Sequence, residues 1–474
     1  FWGFIKMNIL IVGNGFDLSH YLPTKYDHFM DVMGAIEEKD TGGLPKNLVE
    51  KSIDEWLNLL EKTFQKRDGI ASPPHDMTFD ELFYKTRDSK FIEKTKEFYL
   101  TESVEICAKD VLRLQYRLGL NCWYQYFKNH VEEIKTWIDF EQKIEEVLVA
   151  VARCIVDLES MDHPNKIRNY INMRGKDDLK IKIKDLETLK FFNFTTKNEG
   201  AMIPSNLNMN FCHGKNVKNG FCSTEFMTFL HTELERFIEI FNLYLEIIVG
   251  QLFQSGRIDI DAEWSYPDKI FSFNYTNTYQ RLHDSVNVEY LHGSCGEYQN
   301  IVLGVSDLED ESLKKIKAYG FTKYHQKLFK DTDYLFLDEF KKLIEDGKKQ
   351  FDTDLKLMSA NALSDIRTRF IKRGLGSNAT TLDLNFIIWG HSLDVSDKDY
   401  ILDLFNLNDD IDRNVRVTVY YFDKTAKFSL LNNLLAILGK DKVEQWMKNK
   451  WLCFKPNPEI KFLAQESPDV DQAS

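Results

Sequence analysis

Small, polar and titratable residues recur wherever an apolar run of this chain ends. Ile9–Val12 stops at Gly13-Asn14-Gly15, with Phe16 and Asp17 behind. IFSFNY (Ile270 to Tyr275) leads into Asn274-Tyr275-Thr276-Asn277-Thr278, and VEYL (Val288 to Leu291) into His292-Gly293-Ser294. IVLGV (Ile301 to Val305) gives Gly304-Val305-Ser306-Asp307. LNFIIW (Leu384 to Trp389) stops at Gly390-His391-Ser392, with Asp397 beyond, and VRVTVYYF (Val415 to Phe422) stops at Asp423. Glycine lets the backbone take positive φ and lets a ligand come close. Asn, Ser and His offer directed hydrogen bonds, and His also a proton acceptor near neutral pH. Gathered at one place, such groups would hold a polar ligand and move a proton. Each also has a plain structural reading. Gly13-Asn14-Gly15 fits a tight strand-to-helix turn with Asp17 capping the helix. His292 could pack at a turn, and His391 could equally pack. Asn274 could satisfy loop backbone, and Ser392 and Asp397 could cap a helix starting near Lys398.

The elements that must position these residues follow from the same runs. Most are continuously apolar rather than alternating, which predicts strands buried on both faces, as in a parallel sheet covered by helices. Open sheets of that kind bind ligands at the carboxyl ends of their strands. Helical stretches are expected at Glu311 to Tyr319, Lys323 to Lys349, Lys398 to Phe405 and Leu430 to Leu438. Between the first strand and the rest lies a helical region. Asp54 to Phe64, Phe91 to Leu120, Cys122 to Ile134 and Ser223 to Phe253 carry apolar residues at three- and four-residue spacing. Phe140 to Leu158 is amphipathic, with Asp139 at the N-cap position and Gln142 at the capping-box position. Asp162 to Phe221 reads as irregular. The expected organisation is a Rossmann-like α/β core from residues 7–42 and 257–455, a mainly helical insertion at 43–256, and a loosely ordered tail at 456–474.

Composition narrows the function classes. The chain of 474 residues is long enough for several domains, and its net charge of −13 gives no general attraction for nucleic acid. Seven cysteines without regular spacing point to reduced thiols and a cytoplasmic location. No CxxC pair occurs, and Cys212-His213 with Cys222 fits no regular zinc spacing, so no structural zinc is expected. No apolar run reaches the ~18 residues of a membrane span. Phe1 to Lys6, ahead of Met7, lack the shape of a signal peptide and are expected to stand outside the fold.

The opening stretch resembles the signature of the AbiH family of bacterial phage-resistance (abortive infection) proteins, G-N-G-F-D-L-x-x-x-L-x-T-x-Y-x-x-F. Here it stands as Gly13-Asn14-Gly15-Phe16-Asp17-Leu18, Leu22-Pro23-Thr24, Tyr26 and Phe29. The resemblance continues through Trp137, Asp139 and Glu141, then Phe273-Asn274-Tyr275-Thr276, His292-Gly293, Gly390-His391-Ser392 with Asp397, and Asp423. The same positions are similar to a divergent sirtuin fold, whose first strand runs into G-A-G-x-S-x-x-x-G-I-P. Asp17 stands where sirtuins have serine and Tyr21 where they have glycine. Thr276 replaces the acid of the Asn-aromatic-Asp motif of sirtuin-like NAD-cleaving defence effectors. The zinc-ribbon cysteines of deacylating sirtuins are missing.

The resemblance implies an antiphage effector, a NAD(P) glycohydrolase-type hydrolase with NAD or a related nucleotide as substrate or ligand. Its phosphates would meet the backbone around Gly13, Asn14, Gly15 and Phe16. Pro23, Thr276, Gly293, Gly390, Ser392 and Asp423 would complete the binding residues. His292 would act as general base, Asn274 would orient ribose or water, and Asp17 would contact a sugar or cap the helix. Asp17 and Tyr21 are where the chemistry is expected to depart from simple NAD cleavage. The implied partners are the nucleotide, a second copy of the chain and a phage-derived trigger, with no membrane. Two alternatives stay open: a nucleotide-sensing oligomerisation module without turnover, and a nuclease-type toxin holding a divalent metal with Asp139, Glu141 and Asp423.

Overall fold

The structure, a computed structural model, describes residues 5–39, 76–134, 136–173, 179–196, 206–260, 266–332, 335–346, 349, 382–408 and 414–464. The helical pattern read over Asp54 to Phe64, and nearly all of the polar break at Lys39 to Asn47, lie outside these residues. The chain divides into two units. One comprises Phe1–Leu22, Gln254–Ser294 and Lys330–Ser474; the other comprises Pro23–Phe253 and Cys295–Phe329.

The first unit is built on eight strands in two sheets: β1 (Ile5–Val12), β2 (Gly256–Ile260), β3 (Lys269–Ser272), β4 (Val288–Tyr290), β5 (Leu382–Trp389), β6 (Val415–Tyr421), β7 (Leu452–Pro456) and β8 (Ile460–Ala464). Six form one sheet in the order β7-β6-β5-β1-β3-β4, every neighbour parallel. Counted by their appearance in the chain, these six run 3-2-1-4-5-6 across the sheet. β1 lies between β5 (Val12 beside Trp389) and β3 (Val12 beside Ser272). Its side chains alternate between two apolar layers. Ile9 and Ile11 join Phe271, Phe386, Ile388, Val417 and Leu434, whereas Leu10 and Val12 join Phe16, Ile270, Tyr279 and Trp389. Burial on both faces explains the unbroken apolar runs. The helices of this unit that concern the site are α1 (Asn14–Ser19), α2 (Thr278–Leu282), α3 (Lys398–Phe405), α4 (Lys424–Leu438) and α5 (Lys440–Lys448).

Several expectations need correction. Ile5 and Lys6 belong to the fold, since β1 pairs them with Leu382 and Asp383. The tail is partly ordered: β8 pairs antiparallel with β2, and residues 465–474 lie outside the described residues. Ile301 to Val305 is not a strand of the sheet and belongs to the second unit. The Gln326 side chain takes the place of a neighbouring strand there. Its Oε1 accepts from Leu303 N–H and its Nε2 donates to Leu303 C=O, both at 3.0 Å. The stretch after Lys323 is helical to Phe329 and again over residues 338–346, where the chain has returned to the first unit.

The second unit is helical and has an aromatic core. Phe29, on the helix Tyr26–Glu38, meets Phe237, Phe241 and Tyr244 of the helix Ser223–Ile247 at ring distances of 5.3–5.7 Å. The helix Trp137–Glu159 is capped by Thr136, with Asp139 closing the box at its third residue, one turn away from the expected roles. Glu141 on this helix pairs with Lys323 at 2.8 Å, both side chains almost out of water. Removing one partner of such a pair strands the other charge in a poor solvent. Lys323→Met is expected to cost about 3 kcal/mol, with much of it recovered in Lys323→Met/Glu141→Leu. Urea unfolding of the two variants tests this, and equal stabilities would refute it.

Candidate functional site

Two glycine turns close the ends of β1 and β5 against each other. Gly13 N–H donates to Trp389 C=O (3.1 Å), Gly15 N–H to Gly390 C=O (2.8 Å), and Phe16 N–H to Gly13 C=O (2.8 Å). A Cβ on Gly13 would lie 2.5 Å from His391 Cα, and one on Gly390 would lie 2.0 Å from Phe16 N. Gly390 also takes φ +73°. These glycines therefore serve the contact between turns. The N–H groups of Gly13 and Gly15, expected to meet phosphates, point at strand-end carbonyls instead.

Behind this turn, α1 buries an acid. Asp17 is 1% exposed. Its Oδ2 accepts the Thr276 hydroxyl at 2.6 Å, and Thr278 donates to Thr276 at 3.1 Å. Its Oδ1 is buried without a hydrogen-bond partner. Burial pushes the Asp17 pKa up to about 6, against the opposing pull of Thr276, Thr278, Asn274 and Arg281. Asp17 is thus neither a helix cap nor an open ligand. α1 ends in a Schellman arrangement, with Leu22 N–H on Asp17 C=O and Tyr21 N–H on Leu18 C=O. Tyr21 holds the left-handed position at φ +57°, a backbone glycine would adopt without strain. Asn274 donates from Nδ2 to Gly13 C=O at 3.0 Å, and Ser272 Oγ bonds both its N–H and its C=O.

Beside Gly13, three strand-end residues, Phe273, His292 and His391, converge with Asp397 and Tyr400 at the start of α3. Asp397 stands between two histidines, its Oδ1 3.2 Å from His292 Nε2 and its Oδ2 3.3 Å from His391 Nε2. The first contact is at ion-pair distance but out of line for a hydrogen bond. All three side chains are at most 9% exposed. Phe273 packs on His391 and His292, with ring centroids 4.1 and 5.1 Å away, and Tyr400 closes the group on Phe273. His391 Nδ1 accepts the Leu393 N–H at 3.0 Å. Asp397 occupies the N-cap position of α3, yet its carboxylate does not bond the helix. The sequence offered it both as a polar group beyond a strand end and as a cap of this helix; the signal against the cap was a carboxylate six residues after a strand-end histidine.

A second histidine pair lies on the other side of α1. His20 Nδ1 bonds Phe16 C=O at 2.8 Å, and its Nε2 meets His283 Nε2 at 2.7 Å. A carbonyl only accepts, so His20 carries its proton on Nδ1 and takes the His283 Nε2–H. Burial holds both rings neutral, with His20 lowered to about 3, its neighbour His283 adding to the shift, and His283 to about 4. Nothing in the sequence marked this pair.

The other expected site residues divide. Phe16 is packed among His20, Tyr279 and Trp389 rather than open to a ligand. Asn14 is the first residue of α1. Gly293 follows β4 at φ +78°. The Ser392 carbonyl accepts from Asn433. Asp423 is exposed and caps α4 through Ala426 N–H at 2.7 Å. Pro23 belongs to the second unit, where its carbonyl takes the Tyr244 hydroxyl. The acids suggested for a divalent metal are engaged: Asp139 in a capping box, Glu141 with Lys323, Asp423 as a cap. Among the described residues no group of three or more His, Cys, Asp or Glu is arranged to hold a metal ion. Among them, too, no helix is long and apolar enough to cross a membrane.

A parallel six-stranded α/β sheet with buried acids and imidazoles at its strand ends defines the class of the first unit. The match that gives the chain its place extends beyond that unit. Residues 9–421 match the family model described as Bacteriophage abortive infection AbiH, and the chain belongs to that family. No curated protein and no solved structure matches it.

Proposed function

We propose that this abortive-infection protein binds a nucleotide, NAD or a relative, at the strand ends of its first unit and hydrolyses the N-glycosidic bond. The observation that supports this reading most is the meeting of Asn274, His292, His391 and Asp397 around Gly13, at the carboxyl ends of β1, β3, β4 and β5. The strand order 3-2-1-4-5-6 is that of Rossmann dinucleotide-binding sheets, whose ligands lie outside the carboxyl ends. Cleavage builds positive charge on the ribose while the base leaves with the bonding electrons. His292 takes a proton from water or a ribose hydroxyl, a role worth roughly 10²–10⁴-fold in rate. With the Gly13 and Gly15 N–H groups engaged, phosphates would be held elsewhere. The output is depletion of a nucleotide in the infected cell. Purified protein is expected to consume NAD⁺, and His292→Ala to lose about 10²–10⁴-fold of that rate. Equal consumption by both proteins, or none by either, would overturn the hydrolase reading. Calorimetric NAD⁺ binding without consumption would instead support a sensing module, with light scattering reporting any change of assembly.

A further inference from the structure

We propose that His20 and His283 form a two-coordinate site for a soft monovalent cation, copper(I); the site stands apart from the hydrolase reading above. The two imidazoles reach each other from separate elements. His20 is the C-cap residue of α1 and His283 that of α2. They meet through their Nε2 atoms, 2.7 Å apart. His20 is oriented as metal-binding histidines are, with its Nδ1–H fixed on a backbone carbonyl, here Phe16 C=O at 2.8 Å. That leaves the His20 Nε2 lone pair aimed at its neighbour. In the metal-free pair this lone pair holds the His283 Nε2–H. When an ion takes that place, the His283 proton moves to its own Nδ1 by way of water, and both Nε2 lone pairs face the ion. No proton is lost, and the ion keeps its oxidation state.

The surroundings select the ion. Phe16 and Trp389 pack on His20, with ring centroids 4.5 and 5.9 Å away, and Tyr279 packs on His283 at 5.1 Å. Burial in this apolar shell keeps both rings neutral, the form that binds metal. Two neutral ligands leave the whole charge of the ion in a poor solvent. The cost of burying a charge grows with its square, so a divalent ion costs about four times as much as a monovalent one. Zinc also asks for four ligands, whereas copper(I) accepts two nitrogens in line. Metal–nitrogen bonds of about 2 Å set two such nitrogens about 4 Å apart, so the rings must separate by about 1.3 Å from their present 2.7 Å. His283 supplies this movement, because it is half-buried at the end of a five-residue helix while His20 is fully buried. The bound ion ties α1 to α2, whose first residue, Thr278, belongs to the hydroxyl chain on Asp17.

The test uses the full chain under argon, with copper(I) supplied as its bicinchoninate complex. Iodoacetamide first caps Cys107, Cys295 and Cys453, the cysteines that are not buried, because free thiols take copper(I) themselves. The wild type is expected to withdraw one equivalent and to melt at a higher temperature with it. X-ray absorption should show two nitrogen ligands and no sulfur. His283→Phe should withdraw none, and its melting should not respond to copper(I). His283→Met should withdraw one equivalent and place one sulfur and one nitrogen on the copper, which locates the ion. No uptake by the wild type overturns the proposal, as does equal uptake by His283→Phe or sulfur in the wild-type spectrum. Stronger uptake of zinc(II) than of copper(I) overturns it too. Should His283→Phe fail to fold, His283→Met decides alone: copper bound without a new sulfur ligand refutes the site. None of these readouts involves NAD⁺, so the outcome is separate from that of the hydrolase reading.

Discussion

Gly390→Ala is expected to destabilise the sheet-bearing unit by about 4 kcal/mol or more, enough to abolish its cooperative unfolding at 37 °C. The added Cβ would lie 2.0 Å from Phe16 N and 2.3 Å from Gly15 C, which are backbone atoms and cannot rotate away. Alanine at φ +73° adds strain of its own. Relief would require the β5 turn to part from the β1 turn, breaking the Gly15 N–H bond to Gly390 and disturbing the seat of His391. Gly13→Ala meets His391 Cα at 2.5 Å and should behave similarly, without the dihedral contribution. Gly34→Ala is the control. Gly34 lies inside the helix Tyr26–Glu38 with nothing within 4 Å of an added Cβ, so it should gain about 0.5–1 kcal/mol. Urea unfolding followed by circular dichroism compares the three. A Gly390→Ala midpoint at the wild-type value would mean that the turns part without cost.

The glycines show how far this sequence could be read. Apolar runs ending in small or polar groups placed β1, β3, β4, β5 and β6; in β1, β3 and the end of β5 burial on both faces leaves an unbroken apolar signature, whereas β4 (VEY) is half-buried and β6 (VRVTVYY) alternates. Ile301 to Val305 carries the same signature and misled, because the Gln326 side chain and a single parallel bridge between Val305 and Thr322 pair an extended segment that joins no sheet. β7, LCFKP, was missed because it is short, half exposed and contains a lysine and a proline. At the site, the residues were legible and their partners were not. Spacing drew attention to His292, His391 and Asn274, but it could not tell a ligand-facing glycine from one pressed against another turn. Nor could it show that the Asp397 carboxylate turns away from its own helix. Tyr21 is a milder case. It looks like a departure from a glycine position, yet it keeps the left-handed backbone that the end of α1 requires.

Acidification from pH 7 to pH 5 is expected to weaken the sheet-bearing unit by about 2 kcal/mol, through two opposing contributions. His20 and His283 have folded pKa values near 3 and 4, depressed mainly by burial, against about 6.5 for an exposed imidazole. Below pH 6.5 the unfolded chain binds protons that the folded pair refuses. Their contribution is complete above that pH and is lost as pH falls toward 4. Asp17 works in the other direction. Its folded pKa of about 6 lies above the ordinary 3.8, so its contribution is largest at low pH and is lost as pH rises through 6. Toward pH 5 the two imidazoles withhold about two protons and Asp17 takes up about one, so the net slope reaches roughly 1.4 kcal/mol per pH unit there and is shallower near pH 7. Asp17→Asn removes the opposing group while keeping an acceptor for the Thr276 hydroxyl. It should therefore steepen the acid loss to about 4 kcal/mol between pH 7 and 5. Urea midpoints of wild type and Asp17→Asn at the two pH values test this. Parallel pH dependences would show that Asp17 is ionised in the fold and that Thr276 alone holds its charge. A wild-type midpoint that rises on acidification would show that the His20–His283 pair accepts a proton without opening.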